Sequence, residues 1–268
     1  MKKTSCVHKN YYFNYKITFM CNQNCSYCYE KKDNPDIWNN YYLPFRLIQK
    51  EIQLFKMIEF PCWIELLGGE PLTHRYFKEI LTLMVIELTM HSISISTNAT
   101  ARNIEKMKIP QEILNKVFWM LSWHEGITNF NKFKENCEYL LKNNCQMQVN
   151  IMTKSPNKEF LTWIEKQDLT IKFLDIWDPF APSEEIKKIM PTDAPKYGEP
   201  CKYLYNEIFI DRSMVTAAEC VLPKTPIKFD KEFVKNLEPY KNKTCPILTG
   251  CNVPNADLCT PNENATII

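Results

Sequence analysis

The sequence predicts an α/β fold: a parallel sheet built from six strand–helix units, followed by a small C-terminal domain that contains a β-hairpin. Three observations carry this. Strand patterns alternate with amphipathic helix patterns six times between Tyr15 and Trp177, as in a parallel sheet with helices outside it. Six units fall short of the eight that close a complete barrel. From Cys201 the alternation stops, and a hairpin pattern bracketed by cysteines takes over.

The elements follow in order. Tyr15 to Met20 alternates like a strand and leads directly into a cysteine loop. Leu43 to Glu59 places Leu47, Ile48, Ile52, Phe55 and Ile58 at helical spacing, as expected of a helix covering one sheet face. Trp63 to Leu67 is a second strand, broken by Gly68-Gly69, and Tyr76 to Leu88 the next helix. Ser92 to Thr97 is a third strand ending at Asn98-Ala99, and Val117 to Trp123 a fourth ending in Ser122-Trp123-His124-Glu125. Asn131 to Lys142 and Phe160 to Lys166 read as helices, with strands at Gln146–Met152 and Ile171–Trp177. Pro179, Pro182, Pro191, Pro195 and Pro200 then mark an irregular connection. The expected division is a barrel over 1–180, a linker over 181–200 and a small domain over 201–268.

Composition narrows the class. With 268 residues and 45% apolar content, the chain can bury a full core. A net charge of +2 gives no general electrostatic case for nucleic acid. The N-terminus lacks an apolar h-region, and the most apolar run, Ile80 to Met90, includes Glu87 and is far short of a membrane span. A cytoplasmic location with no membrane partner is expected. Twelve cysteines then point to metal rather than disulfides, because the cytosol keeps thiols reduced. Cys62, Cys137 and Cys145 sit in apolar or helical settings and read as buried small hydrophobes. Cys6 shows no partner pattern.

Cys21, Cys25 and Cys28 form C-x3-C-x2-C, with Tyr27 just before the last cysteine. Three thiolates this close can hold three irons of a [4Fe–4S] cluster and leave the fourth open to a ligand, whereas electron-transfer clusters usually take four. Zinc is the alternative, but its sites normally use paired C-x2-C units or histidines at set spacings. The nearest downstream histidine is His74.

About forty residues after Cys28, Gly68-Gly69-Glu70-Pro71 closes the second strand. Together, the Cys21/Cys25/Cys28 loop with Tyr27 and this glycine-rich strand end resemble the radical S-adenosylmethionine (SAM) superfamily. The resemblance implies an open six-fold partial barrel and a cluster whose open iron is chelated by SAM. It implies that Gly68, Gly69 and Glu70 hold the SAM ammonium, consistent with close backbone approach at glycine and a carboxylate favouring a cation. It further implies reductive cleavage of SAM to a 5′-deoxyadenosyl radical, with electrons from a flavodoxin or ferredoxin. Tyr27 is expected to contact adenine. Ser122 ends the fourth strand where many relatives place a serine on SAM. Asn98 and Asn150 end the third and fifth strands, within reach of ribose or carboxylate.

The C-terminal portion resembles the twitch domain, a shortened SPASM extension carried by many radical SAM enzymes. Glu207 to Thr216 reads as a hairpin turning at Asp211-Arg212-Ser213, with Cys201 before it and Cys220 after it, then Cys245, Cys251 and Cys259. The resemblance implies one auxiliary iron–sulfur cluster on Cys201, Cys220, Cys245 and Cys251, with Cys259 able to replace Cys251. Two departures stand out: Ser213 where glycine is usual, and a C-x5-C last pair.

His124 takes the place of aspartate in the Ser-Leu-Asp-Gly of peptide-modifying relatives. It is expected to face substrate beside Ser122, either hydrogen-bonding it or acting as a base near neutral pH. Trp119 and Trp123 lie on the opposite face and are expected to pack. The substrate expectation is a small polar molecule such as a sugar, cyclitol or nucleotide, oxidised by the enzyme. The alternatives are a peptide- or protein-modifying maturase and a non-catalytic iron–sulfur protein.

Overall fold

The computed structural model describes residues 11–152, 157–167, 170–174, 207–217 and 227–237. β1 (Tyr12–Thr18), β2 (Trp63–Gly68), β3 (Ser92–Thr97), β4 (Val117–Trp123), β5 (Met147–Met152) and β6 (Thr170–Leu174) alternate with helices. Those helices are α1 (Tyr29–Asp33), α2 (Phe45–Lys56), α3 (Phe77–Glu87), α4 (Gln111–Leu114), α5 (Phe130–Lys142) and α6 (Lys158–Ile164). β7 (Glu207–Asp211), β8 (Met214–Ala217), β9 (Ile227–Lys228) and α7 (Lys231–Asn236) complete the described chain. The strands form one nine-stranded sheet in the order β6-β5-β4-β3-β2-β1-β7-β8-β9, with β6 and β9 as unjoined edges. Among the described residues the sheet is therefore not closed. Among the described residues, no helix is long and apolar enough to cross a membrane.

Alternation along the strands separates two faces. On the helix side lie Phe13, Tyr15 and Ile17 of β1, Ile64 and Leu66 of β2, Ile93 and Ile95 of β3, and Trp119, Leu121 and Trp123 of β4, all buried. They meet Ile48, Ile52 and Phe55 of α2, Phe77, Ile80 and Met84 of α3, and Phe133 and Leu140 of α5 in one core. Each such side chain contributes about 1.5–3 kcal/mol on burial. Asn14, Glu65, Ser94, Ser122, Gln148 and Asn150 occupy intervening positions on the other face, which they share with Trp63, Leu67, Phe118 and Met120.

The amphipathic stripes set the helices. α2 buries Ile48, Ile52 and Phe55, four and three residues apart, the spacing of one helix face. It starts two residues later and stops three earlier than its apolar pattern, between Pro44 and Met57. α5 is capped by Asn129, whose side chain accepts from the Lys132 amide. Trp119 and Trp123 pack as expected; Trp123 stacks on Phe160 of α6 at 4.1 Å between ring centroids. Cys62, Cys137 and Cys145 are buried.

β1 through β6 run parallel, so their C-terminal ends gather on one side. β7 also pairs parallel with β1, Phe13 opposite Ile208 and Tyr15 opposite Ile210. The expected hairpin therefore extends the barrel sheet past β1, and its tip reaches the same side. The two-residue turn joins Asp211 to Met214, with positive φ at Arg212 (50°) and Ser213 (64°). Positive φ at both central residues is the type I′ pattern that suits a twisted hairpin. The 181–200 linker lies outside the described residues, as do Cys201, Cys220, Cys245, Cys251 and Cys259.

Candidate active site

The site begins where β1 ends. The Met20 amide donates to Thr18 Oγ1 at 2.9 Å, turning the chain off the sheet. Gly69 N then donates to Thr18 O at 2.8 Å, and Glu70 N to Met20 O at 2.7 Å. These contacts press the end of β2 against the start of the cysteine loop. A Cβ at Gly68 would lie 2.0 Å from Thr18 O, and one at Gly69 2.4 Å from Met20 O. Gly68 also has φ +136°, a conformation that disfavours any side chain. Both glycines therefore serve the approach of backbone to backbone, and through it the placing of the loop.

The loop is held at several points. Cys21 N donates to Asn39 Oδ1 at 2.7 Å, Gln23 N to Cys21 Sγ at 3.4 Å, and Cys28 N to Cys25 O at 3.3 Å. α1 starts directly after Cys28 and carries Glu30, which pairs with Lys16 of β1 at 2.8 Å. Burial pushes the Cys21 thiol up to about 12 and raises Cys25 and Cys28 as well. Such thiols stay protonated until a metal displaces the proton.

Glu70 is 1% exposed. Its Oε1 accepts from Leu72 N at 3.0 Å and Thr97 Oγ1 at 2.6 Å, and its Oε2 from Asn98 N at 2.7 Å. Three of a carboxylate's roughly four acceptor positions are thus occupied. Burial raises its pKa to about 7, against the three hydrogen bonds that lower it. The side chain braces the ends of β2 and β3 against each other. The carboxylate expected to meet the SAM ammonium is here committed mainly to backbone.

Asn98 extends the brace into the loop. Its Nδ2 donates to Asn22 Oδ1 at 2.9 Å and lies 3.9 Å from Cys21 Sγ. Asn22 and Gln23 both donate to Thr100 Oγ1, at 2.9 and 3.3 Å. Gln23 also donates to Thr128 Oγ1 at 3.2 Å, which accepts from His124 N at 2.9 Å. One polar network therefore ties the cysteine loop to the ends of β2, β3 and β4. Sequence reasoning missed Asn22, Gln23, Thr100 and Thr128. A signal was present for the first two, which fill the C-x3-C interval.

His124 follows β4, and its Nδ1 lies 2.8 Å from Tyr27 Oη with the rings stacked at 5.9 Å. It therefore turns toward the cysteine loop, not the helical shell. Burial pushes its pKa down to about 4, so the imidazole is neutral at physiological pH and weakly basic. Ser122 is half-buried on the sheet face away from the helices, paired in register with Asn150. Asn150 is 8% exposed and accepts from Gln148 Nε2 at 2.6 Å.

The donor set suits an iron–sulfur cluster. Among the described residues, no three His, Cys, Asp or Glu side chains close on a point that one metal ion can fill. In a cluster each thiolate instead binds its own iron, so the three sulfurs need not converge. Cys21, Cys25 and Cys28 would hold it, beside the tight Gly68-Gly69 strand end.

Comparison with known proteins agrees. A sequence model of the radical SAM superfamily matches residues 15–170, more than half of the 268 residues. Over 105 residues the chain is 29% identical to GTP 3′,8-cyclase of Klebsiella pneumoniae subsp. pneumoniae, covering 38% of this chain and 32% of that protein. Among solved structures, anSMEcpe with bound AdoMet is similar at a TM-score of 0.51 and 17% identity, covering 63% of this chain and 52% of that one. Streptococcus suis SuiB bound to S-adenosylmethionine is similar at 0.52 and 13%, covering 84% and 65%. At these identities the structural likeness is one of fold. The chain spans about a third of the curated relative and between half and two thirds of the two solved structures. The family match over residues 15–170 and the cysteine loop inside it lead to one conclusion: this chain belongs to the radical SAM superfamily, whose cofactors are a [4Fe–4S] cluster and S-adenosylmethionine.

Proposed function

We propose that this chain reductively cleaves SAM at a cluster held by Cys21, Cys25 and Cys28, and removes a hydrogen atom from a small polar substrate such as a sugar, cyclitol or nucleotide. The observation that carries this reading is the bracing of the cysteine loop against the ends of β2, β3 and β4 at one mouth of the sheet. When bound, the cluster and SAM supply one-electron cleavage of the sulfonium to methionine and a 5′-deoxyadenosyl radical; the protein supplies placement and exclusion of water. Tyr27 presents its ring toward adenine, with its hydroxyl fixed by neutral His124. Gly68 and Gly69 bring backbone to the cofactor, and Glu70 keeps that backbone in place. Ser122 and Asn150 line the mouth on the sheet face away from the helices. A flavodoxin or ferredoxin supplies the electron.

The polar substrate is supported by that face, where Asn14, Glu65, Ser94, Ser122, Gln148 and Asn150 stand at alternating positions. The name of the 29%-identical relative, which includes GTP, points the same way. A peptide is the second reading, because anSMEcpe, which shares the fold, has been solved with a bound peptide.

The test is anaerobic. Reconstituted and reduced protein should convert SAM to 5′-deoxyadenosine, followed by liquid chromatography and mass spectrometry, and Cys25→Ala should abolish the product. Undiminished product from the Cys25 variant would reject the reading. Deuterated nucleotides, aminosugars and peptides then divide the substrate classes by which label enters 5′-deoxyadenosine.

A further inference from the structure

We infer that Asn98 is a positioning residue for the Cys21 ligand, whose side-chain amide donates toward the Cys21 sulfur and raises the reduction potential of the cluster there. The inference rests on the proposed role of Cys21, Cys25 and Cys28, and it removes Asn98 from the SAM-contacting set.

The amide's capacity is fully assigned. Oδ1 accepts from Thr100 N at 2.9 Å and Thr100 Oγ1 at 2.8 Å. Nδ2 donates to Asn22 Oδ1 at 2.9 Å and faces Cys21 Sγ at 3.9 Å. Two donors and two acceptor sites are all that an asparagine side chain offers. The partners also dictate its orientation. Flipping the amide would set Nδ2 against the Thr100 N–H and Oδ1 against Asn22 Oδ1, so the hydrogen-bond network permits one assignment only. The backbone of Asn98 is anchored separately, by its N–H on Glu70 Oε2 at 2.7 Å. At 6% exposure, the side chain has little surface left for a ribose or carboxylate.

Cys25 takes a hydrogen bond from the Tyr27 side chain and Cys28 from the Glu30 and Lys31 backbone; Cys21 is the ligand that Asn98 faces. Gln23 N at 3.4 Å and Asn98 Nδ2 at 3.9 Å are the two directed at Cys21 among the described residues. A reduced cluster carries one more negative charge than its oxidised form. A hydrogen-bond donor to a ligand sulfur therefore stabilises the reduced state more, which raises the potential. Electron entry precedes SAM cleavage, so the amide acts on the reaction through Cys21 and not by touching substrate.

The experiment is an anaerobic potentiometric titration of the reconstituted cluster without SAM, followed by electron paramagnetic resonance, with SAM affinity measured separately. Asn98→Ser keeps a short neutral acceptor for the Thr100 turn and loses the far N–H2; Asn98→Ala loses both. Thr100→Ala loosens the same turn and removes the acceptor of Asn22 and Gln23 in the cysteine loop but leaves the Asn98 amide donor, so it separates loosening of the loop from loss of the donor. Expected is a ~10-fold loss in the one-electron reduction equilibrium, ~59 mV more negative, in both Asn98 variants, with Thr100→Ala near the parent value. If Asn98→Ala retains no iron, Asn98→Ser decides. A parent-like potential in Asn98→Ser overturns the inference, as does an equal shift in Thr100→Ala. So does a tenfold or greater loss of SAM affinity in Asn98→Ser with an unmoved potential, which would return Asn98 to the cofactor. A parent protein with no reducible cluster would overturn the underlying cysteine assignment as well.

Discussion

At the scale of single residues, Glu70 and His124 are two buried titratable groups at the same mouth, and burial moves them in opposite senses. Glu70 is raised from 4.5 to about 7, so the folded state holds its proton more tightly than the unfolded chain. Its contribution to stability is full below pH 4.5 and is lost as pH rises through 7. His124 is lowered from 6.5 to about 4, so its contribution is full above pH 6.5 and is lost as pH falls through 4. At ~1.4 kcal/mol per pH unit, each amounts to ~3 kcal/mol. Between pH 4.5 and 6.5 the two slopes oppose each other. In iron-free protein, Glu70→Gln should therefore show stability rising with pH across that window more steeply than the parent does, and His124→Gln less steeply than the parent, with His74, His91, Glu51 and Glu125 contributing the same background to all three. Urea unfolding at pH 4.5, 5.5 and 6.5 reads both slopes, and parallel curves for the two variants would reject the pairing. Glu70→Gln should also lose ~1–3 kcal/mol near neutral pH, because its amide N–H2 would face the Asn98 or Leu72 N–H with no acceptor between them.

At the scale of elements, the hairpin tip stands out. Arg212 and Ser213 take positive φ without being glycine, a conformation that costs an L-residue about 1–2 kcal/mol. The tip remains there because β7 is locked against β1 over five register pairs. The Arg212 guanidinium sits 6.0 Å from the centre of the Phe19 ring, and Phe19 stands two residues before Cys21. Ser213 Oγ is buried without an aligned hydrogen bond, beside the Glu51 carboxyl. Ser213→Gly removes both the strained Cβ and the buried hydroxyl. It should stabilise the fold by ~0.5–1 kcal/mol after the added freedom of the unfolded chain is subtracted. Thermal unfolding reads the sign, and a lower midpoint would mean that the Ser213 hydroxyl contributes a bond to Glu51.

At the scale of the whole molecule, the described sheet runs without a break from the barrel strands into the hairpin, whereas the cysteines expected to carry a second cluster lie outside the described residues. The proposal of an auxiliary iron–sulfur centre on Cys201, Cys220, Cys245 and Cys251 rests on the order of those cysteines around the hairpin. A triple variant, Cys21→Ala, Cys25→Ala and Cys28→Ala, should keep about four irons and matching sulfide if one such cubane forms. Folded protein without iron would reject the second centre. Zinc in its place would leave a structural staple and remove any electron-carrying role.

The sequence by itself determined the alternation of strands and helices, the cysteine loop, the glycine-rich end of β2 and the family they mark. These are local signals: period-two and period-3.6 apolar spacing, and ligands within eight residues of one another. It placed β3 and β4 at Ser92–Thr97 and Val117–Trp123 without error, because an alternating Ser-Ile pattern in the one and a short, nearly continuous apolar run in the other are bounded by polar residues. It overran the ends of α2, whose apolar spacing outlasts its hydrogen bonding. Short α1 and α4 carry too few residues for a period to register. What only the tertiary structure decided is how side chains from distant segments divide their hydrogen bonds. Asn98 meets Asn22 across 76 positions, Tyr27 meets His124 across 97, and β7 reaches β1 across nearly two hundred residues. No local spacing encodes those meetings. They arise because parallel strands bring their C-terminal ends to one side, where buried polar groups must find partners or lose the hydrogen bonds water gave them.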